Sequence, residues 1–298
     1  MTGPWAVVAG DRDDPAWREA FFAFIRDVFP GLDFAAWHRL GCWNGPYQPF
    51  SIFEDGRMVA NVSATPMRLL VNGTETAGVQ IGTVGTLPEL RGKGLARFLM
   101  EHVLDRFDAG SALVFLFANE RVLDFYPKFG FRPVSTALFR GPLPATGRAG
   151  TPPLRSRPLD LESPADRDLV SAHLGNRLPL TKMFGAIDHA FITWWHLLNV
   201  FPRHVVHFPD PGVMVVATEE NGWLHVWDVV STRRFAWKAV LASLSAGREL
   251  AGAVHHFPPD QFTFDCARIL PDPETHLFVR GALPLAPLAF AFPPTAQT

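Results

Sequence analysis

The chain has 298 residues, 48% of them hydrophobic and 12% aromatic, and a formal net charge of -2. That much apolar material excludes a disordered chain, and the length suits two domains of ordinary size. The near-neutral charge argues against a nucleic-acid binder held by a basic surface, and two distant cysteines, Cys42 and Cys266, supply neither a disulfide framework nor zinc-ligand spacing.

The first residues, MTGPWAVVAGDRDDPAW, lack the cationic start and apolar stretch of a signal peptide, and no apolar run reaches membrane-spanning length. The expectation is a soluble, reduced, cytoplasmic protein with no membrane partner. Residues 5–9 read as a strand. Trp17, Phe21, Phe22, Ile25, Val28 and Phe29 then recur at helical spacing until Pro30-Gly31 stops them, and a second short helix is expected over 34–40. Two hairpins follow, turning at Asp55-Gly56 and Asn72-Gly73. Leu95, Phe98, Leu99, Val103 and Phe107 mark one face of a helix. The run ALVFLFA is a buried strand, NERVLDFYPKFGF a short helix, and FRPVSTALFR a further strand.

Residues 141–158, rich in Pro, Gly and Arg and without apolar period, read as a linker. The pattern then restarts: two helices, three strands turning at Asp210-Pro211-Gly212 and Asn221-Gly222, a helix over RRFAWKAVLASLSA, and strand candidates AGAVHHF, QFTFDCARI and LFVRGAL. Helix–helix–three strands–helix–strand thus occurs twice, which predicts two similar units, 1–140 and 159–298.

GTVGTLPELRGKGLARFLMEH starts like a strand and ends like a helix, with two glycines and two cations at the join. Helix N-termini carry unpartnered amides and a positive dipole end, so an anion, most often a phosphate, is the natural guest. A Walker loop needs Ser or Thr after Lys93, where Gly94 stands. A dinucleotide fingerprint needs Gly or Ala at position 97, where Arg97 stands. What remains is Arg91-x-x-Gly94-x-Ala96.

That segment resembles the acetyl-CoA pyrophosphate loop of the GNAT superfamily of N-acetyltransferases, Gln/Arg-x-x-Gly-x-Gly/Ala. NERVLDFYPKFGFR is similar to a second superfamily segment through Asn119, Tyr126, Gly130 and Phe131. The two together cover about residues 1–140. The resemblance implies an α/β fold with a mixed, mostly antiparallel central sheet and flanking helices, and acetyl-CoA as co-substrate with no metal. It implies pyrophosphate bound by the amides of Gly92, Lys93, Gly94, Leu95 and Ala96 with charge from Arg91 and Lys93. Pantetheine would enter where the strand over 82–87 splays from its neighbour, pairing with backbone at Val84 and Thr86. Gly85 reads either as a close-approach residue or as a bulge.

The family implies Tyr126 as the general acid that protonates CoA thiolate, against the plain reading of a core tyrosine. The chain has two tyrosines and 26 phenylalanines, so bulk alone would have been met by Phe. Asn119 either bonds the pantetheine or caps a helix. Many family members place a glutamate eleven residues ahead of the loop; here that position is Gln80, which cannot act as a base. Glu54, Asp55, Glu120, His38 or water are substitutes. Trp43 and Tyr47, with Gln80, are candidates for the acceptor pocket, or Trp43 and Tyr47 are simply half-buried aromatics.

In the second half the loop's counterpart, Ser231 to Arg234, has no glycine. The whole resembles tandem acetyltransferases of the enhanced-intracellular-survival type, which pair a working GNAT domain with a degenerate one. Those also have a third domain that supplies a terminal carboxylate to the site; this chain ends too soon for one, so its tail AFPPTAQT is given no such part. His204, His207, His225, His255 and His256 lack ligand spacing for a metal. The expected activity is acetyl transfer to a small-molecule or protein amine by direct attack. The alternatives are transfer of a longer acyl group and a non-catalytic acyl-CoA sensor or scaffold.

Overall fold

In the computed structural model, which describes residues 5–107, 113–144 and 153–298, the strands gather into two mixed sheets. Of the expected linker, residues 145–152 lie outside the described residues. Strands β1 (Val7–Ala9), β2 (Gln48–Glu54), β3 (Arg57–Val71), β4 (Thr74–Thr86), β5 (Leu113–Ala118) and β6 (Arg132–Val134) come from the first half. β7 (Ala137–Gly141), β8 (Arg157–Pro158), β9 (Phe184–Ile187), β10 (Val205–Phe208), β11 (Val213–Glu220), β12 (Trp223–Ser231), β13 (Gly252–His255), β14 (Arg268–Pro271) and β15 (His276–Arg280) follow.

Turn chemistry sets the hairpins. Asp55-Gly56, Asn72-Gly73 and Asn221-Gly222 all carry positive φ at both positions, the conformation that Asp, Asn and Gly tolerate and that matches strand twist. The helices start where carboxylates can cap them. Asp14 accepts from the Ala16 amide at the head of α1 (Pro15–Val28), and Asp33 from Ala35 and Ala36 at the head of α2 (Phe34–Arg39). α1 buries Trp17, Phe21, Phe24 and Ile25 against the first sheet, and Trp37 of α2 is fully buried beside them. α3 (Leu95–Phe107), α4 (Pro164–Gly175), α5 (Ala190–Asn199) and α6 (Trp237–Ser245) complete the set. No helix among the described residues is long and apolar enough to cross a membrane.

The first sheet runs β1-β2-β3-β4-β5-β15-β6, with β9 along the far end of β3. The second, taken in the corresponding sense, runs β8-β10-β11-β12-β13-β7-β14. In each the fourth and fifth strands form the one parallel pair, joined through a helix: β4–α3–β5 and β12–α6–β13. In each the sixth place is taken by a strand from the other half of the chain. β15 lies antiparallel between β5 and β6, and β7 lies antiparallel between β13 and β14.

This exchange is where the structure departs from sequence pattern. FRPVSTALFR, expected as one strand, breaks at Ser135-Thr136 and crosses from the first sheet to the second. AIDHAFITWWHLLNVF, expected as one helix, begins within β9; Asp188 turns with φ 57, and α5 starts at Ala190. NERVLDFYPKFGF forms two short 3-10 turns, Glu120–Val122 and Tyr126–Phe129, rather than a helix. QFTFDCARI is largely irregular, and its strand falls at Arg268–Pro271.

The exchange makes a prediction. β15 buries Leu277, Phe278 and Val279, at roughly 1.5–3 kcal/mol each, a sum comparable with the whole stability of a domain, about 5–15 kcal/mol. A fragment of residues 1–158 leaves β5 and β6 facing an empty place. It should lack cooperative thermal unfolding by circular dichroism, and a fragment melting like the full chain would show the exchanged strand to be dispensable.

Candidate functional site

β4 and β5 pair from Gly78↔Leu113 to Ile81↔Leu116 and then part, although β4 continues to Thr86 and β5 to Ala118. The register with β3 also slips here, from Asn61↔Gly85 to Ser63↔Gly82. Thr83 and Val84 therefore bulge between two strands. Thr83 has φ 49, costly for a β-branched residue and sustained only where neighbours enforce it. They do: Asn61 Nδ2 donates to the Thr83 carbonyl at 3.0 Å, and Tyr47 Oη bonds Thr83 Oγ1 at 2.5 Å. Gly85 is neither a bulge nor free space for a ligand. A Cβ there would meet Val28 Cγ1 at 2.8 Å, so it is the point where β4 passes under α1.

β4 leads through the 3-10 turn Pro88–Leu90 into the glycine loop. Gly92 has φ 79 and Gly94 φ 93, and an added Cβ would find nothing nearer than Trp5 at 3.9 Å. Glycine is needed here for backbone conformation, not for room. Arg91, Gly92, Lys93 and Gly94 are exposed at the head of α3. The Leu95 side chain is buried, leaving its amide as its contribution, and Ala96 is half-buried. Arg91 Nε donates to the Thr86 carbonyl at 3.4 Å, so one of the two β4 backbone positions expected to pair with pantetheine faces the loop's own arginine. In the second half the corresponding join has no glycine, and Arg233 Nε is spent on the Pro211 carbonyl at 3.0 Å.

Where the strands part there is a cavity of about 310 Å³. It is lined by Gly82, Thr83 and Val84 of β4, by Phe117, Asn119 and Tyr126, and by Phe34, Trp37, Tyr47, Ile192 and Trp195. Tyr126 is buried, its hydroxyl makes no hydrogen bond among the described residues, and burial pushes its pKa up to about 12. It stays protonated and can donate. Asn119 caps the following 3-10 turn through the Arg121 amide at 3.0 Å and also faces the cavity. Tyr47 is held at about 12 by burial, partly offset by its hydrogen bonds. Trp43 does not line this cavity. It stacks on the outer side of Trp37, centroids 5.1 Å apart, as a second layer of the aromatic wall.

Gln80 is also displaced from the expected part. It is fully buried and grips the tail of the chain: Nε2 donates to the Ala296 carbonyl at 3.0 Å, and Oε1 accepts from the Thr298 amide at 2.8 Å. A donor and an acceptor are needed together, which an amide offers and a carboxylate does not. Sequence reading missed this tail. Phe290 and Phe292 are buried among Phe115 and Phe184. Thr295 Oγ1 donates to Asp228, which a buried fork from Arg177 also holds at 2.5 and 3.0 Å. Gln297 and Thr298 reach the cavity, passing so close to Gly82 that a Cβ there would lie 2.7 Å from Thr298. The alternating apolar residues of LAFAF were the available signal.

His196, on α5, is the other residue that sequence reading missed. Its Nε2 lies 2.7 Å from the Gln297 carbonyl. A carbonyl only accepts, so Nε2 carries the proton and the neutral ring keeps its lone pair on Nδ1. Burial holds its pKa down to about 4, so the ring is neutral at physiological pH. Among the described residues no cluster of three or more His, Cys, Asp or Glu could hold a metal ion.

Residues 18–134 match the family model of the acetyltransferase (GNAT) domain. Among curated proteins none matches the sequence. Three solved structures share the fold over nearly the whole chain. A probable N-acyltransferase of unknown function from Enterococcus faecalis is 15% identical with a TM-score of 0.58, over 92% of this chain and 72% of its own. Eis1 from Mycobacterium abscessus is 17% identical with a TM-score of 0.57, over 91% and 73%. A GCN5-related N-acetyltransferase from Kribbella flavida is 18% identical with a TM-score of 0.56, over 93% and 71%.

The geometry at Gln80 yields a test. If the position were a lapsed base, Gln80→Glu would raise activity. A carboxylate facing the Ala296 carbonyl instead loses the donor and leaves a buried acceptor pair, a cost of about 1–3 kcal/mol or more. The variant should melt several degrees lower and gain no activity; faster turnover with unchanged melting would contradict the clamp.

Proposed function

We propose that this chain, which carries a GNAT acetyltransferase domain over residues 18–134, moves an acetyl group from acetyl-CoA to an amine by direct attack. The observation that carries the reading is the continuity along β4. One strand edges the cavity at Gly82–Val84 and delivers the chain to the left-handed glycines at the head of α3. A pyrophosphate on the loop amides would send its pantetheine arm along β4 into the parting from β5, beside Val84 and Asn119, with the thioester near Tyr126.

In this reading the amine nitrogen attacks the thioester carbonyl and forms the C–N bond. The tetrahedral intermediate then expels sulfur, and the departing thiolate takes the proton of the Tyr126 hydroxyl. A phenol kept neutral by burial suits that step. The proton released by the amine passes to water through the polar corner where His196, Gln297 and Thr298 meet, and a proton from water restores the Tyr126 hydroxyl. Gln80 has no part in it, since both ends of its amide are occupied.

Two substitutions test the reading. Calorimetry on the full chain should give one CoA per chain. Gly94→Glu, which sets a side chain and a negative charge at φ 93 in an anion site, should weaken acetyl-CoA by well over tenfold, more than about 1.4 kcal/mol. Two equivalent sites, or unchanged affinity in the variant, would remove the loop from the mechanism. Tyr126→Phe should lower turnover on the order of 10²-fold with acetyl-CoA affinity nearly unchanged. Wild-type turnover would return Tyr126 to a packing role.

A further inference from the structure

The segment that carries Asn119 and Tyr126 has little to hold it in place by itself. It consists of two short 3-10 turns, Glu120–Val122 and Tyr126–Phe129, and such turns make few internal hydrogen bonds of poor geometry. Neighbours must fix the direction of the Tyr126 hydroxyl, and some of them come from the other half of the chain. β15 runs antiparallel between β5 and β6, with His276↔Ala118 at one end and Arg280↔Val114 at the other. Successive side chains of a strand point to opposite faces. Leu277 and Val279 join the core that holds Phe115, Phe290 and Phe292, while Phe278 joins the core that holds Tyr126. His276, Phe278 and Arg280 therefore share the face turned to the Tyr126 segment.

Phe278 is buried, with its ring centroid 5.6 Å from that of Tyr126 and the planes at 46°. Phe125 and Phe131, of the segment itself, meet the tyrosine ring edge-on at 5.3 and 6.3 Å. Arg280 Nη1 donates to the Phe129 carbonyl, at the end of the Tyr126 turn. Gly130 then takes φ 79, and a Cβ there would lie 2.9 Å from Arg280 Nη1. Glycine thus serves both the left-handed turn and the approach of the guanidinium. His276 Nε2 stands 3.8 Å from the exposed Glu120 carboxylate, too far for a hydrogen bond and worth little as an ion pair. The grip is at Phe278 and Arg280. Alternate residues of a strand stand about 6.5–7 Å apart, and the first and last residues of a four-residue 3-10 turn about 6 Å. One face of one strand can reach the ring that begins the turn and the carbonyl that ends it.

We infer that Phe278 and Arg280 are positioning residues for the acid step: through them the exchanged strand sets where the Tyr126 hydroxyl stands in the cavity. This rests on the transfer reading above and adds to it the residues, outside 18–134, that aim its acid. The chain has two tyrosines, so 3-fluorotyrosine in the full chain gives two fluorine signals, which Tyr126→Phe assigns. Phe278→Leu and Arg280→Met should each shift the Tyr126 signal and leave that of Tyr47 in place. Arg280→Lys, which keeps a donor, should shift it less, and at a half-buried position it keeps the test open if Phe278→Leu does not fold. Thiol release from acetyl-CoA, with 2-phenylethylamine, spermidine or a lysine-containing peptide as acceptor, gives the second readout. Phe278→Leu and Arg280→Met should lower kcat by about tenfold, since a displacement of about 1 Å can cost more than that, with KM for acetyl-CoA little changed. In a Tyr126→Phe background the same substitutions should cost less than about twofold, because the group they aim is gone. An unmoved Tyr126 signal, or an equal loss in both backgrounds, overturns the positioning role and leaves the transfer reading standing. Wild-type turnover by Tyr126→Phe, or acetyl-CoA binding with no amine turned over, removes the acid or the transfer itself, and the positioning role falls with it.

Discussion

The parting of β4 from β5 after Ile81↔Leu116 is the constraint on which the site depends. A sheet satisfies its backbone groups by pairing, and a strand that leaves its neighbour in the interior must have them met otherwise. On this chain the parting is enforced, not merely allowed. Asn61 holds the Thr83 carbonyl, Tyr47 holds the Thr83 hydroxyl, and together they fix a positive φ at a β-branched residue. The bulge turns Thr83 and Val84 to the cavity, and the same strand continues to the glycine loop. Cavity and loop are thus two ends of one rigid element, and rigid elements place reacting groups more closely than loops do.

The parting also explains the tail. An open wedge in a sheet needs filling, and the residues that fill it come from the far end of the sequence. Gln80 sits at the last paired positions of β4 and reads both a carbonyl and an amide of the tail, while Gly82 leaves it room to pass. The buried Arg177–Asp228 pair matters for the same reason. Buried ion pairs add little net stability but penalise any arrangement that leaves one partner alone. Here the pair also accepts the Thr295 hydroxyl, so displacing the tail would uncover part of a buried carboxylate.

The local half of this architecture was legible in the sequence. Asp55-Gly56, Asn72-Gly73 and Asn221-Gly222 declared their hairpins because φ above zero at two successive positions admits few residues. α1 declared itself through its aromatic spacing, and the glycine loop through two residues that only glycine suits. What sequence could not show was long-range. Nothing in FRPVSTALFR says that it changes sheets at Ser135-Thr136, because β6 and β7 each look like an ordinary short strand. Nothing in WWHLLN says that His196 faces a cavity of the first half. Gln80 was misread for a related reason. Its departure from the family's glutamate looked like the loss of a base until its two partners, more than 200 residues away, came into view.

The second half keeps the sheet order of the first, with its own parallel pair around α6, and lacks the glycine conformations of the loop. Those two features answer to different demands. Sheet order is fixed by burial: β12 and β13 carry Val226, Val229, Ala253 and Val254 into a core that any strand order must satisfy. A phosphate loop is fixed by a ligand and adds nothing to the core. The packing that supports a neighbouring unit can stay where such a loop is lacking. In this chain that packing is not passive. β9, α5, β15 and the tail all belong to the second half, and each touches the first sheet or the cavity. Part of the cavity wall, from Ile192, Trp195, His196, Gln297 and Thr298, therefore comes from outside residues 18–134. The lining that α5 and the tail supply can change while the loop and β4 stay as they are.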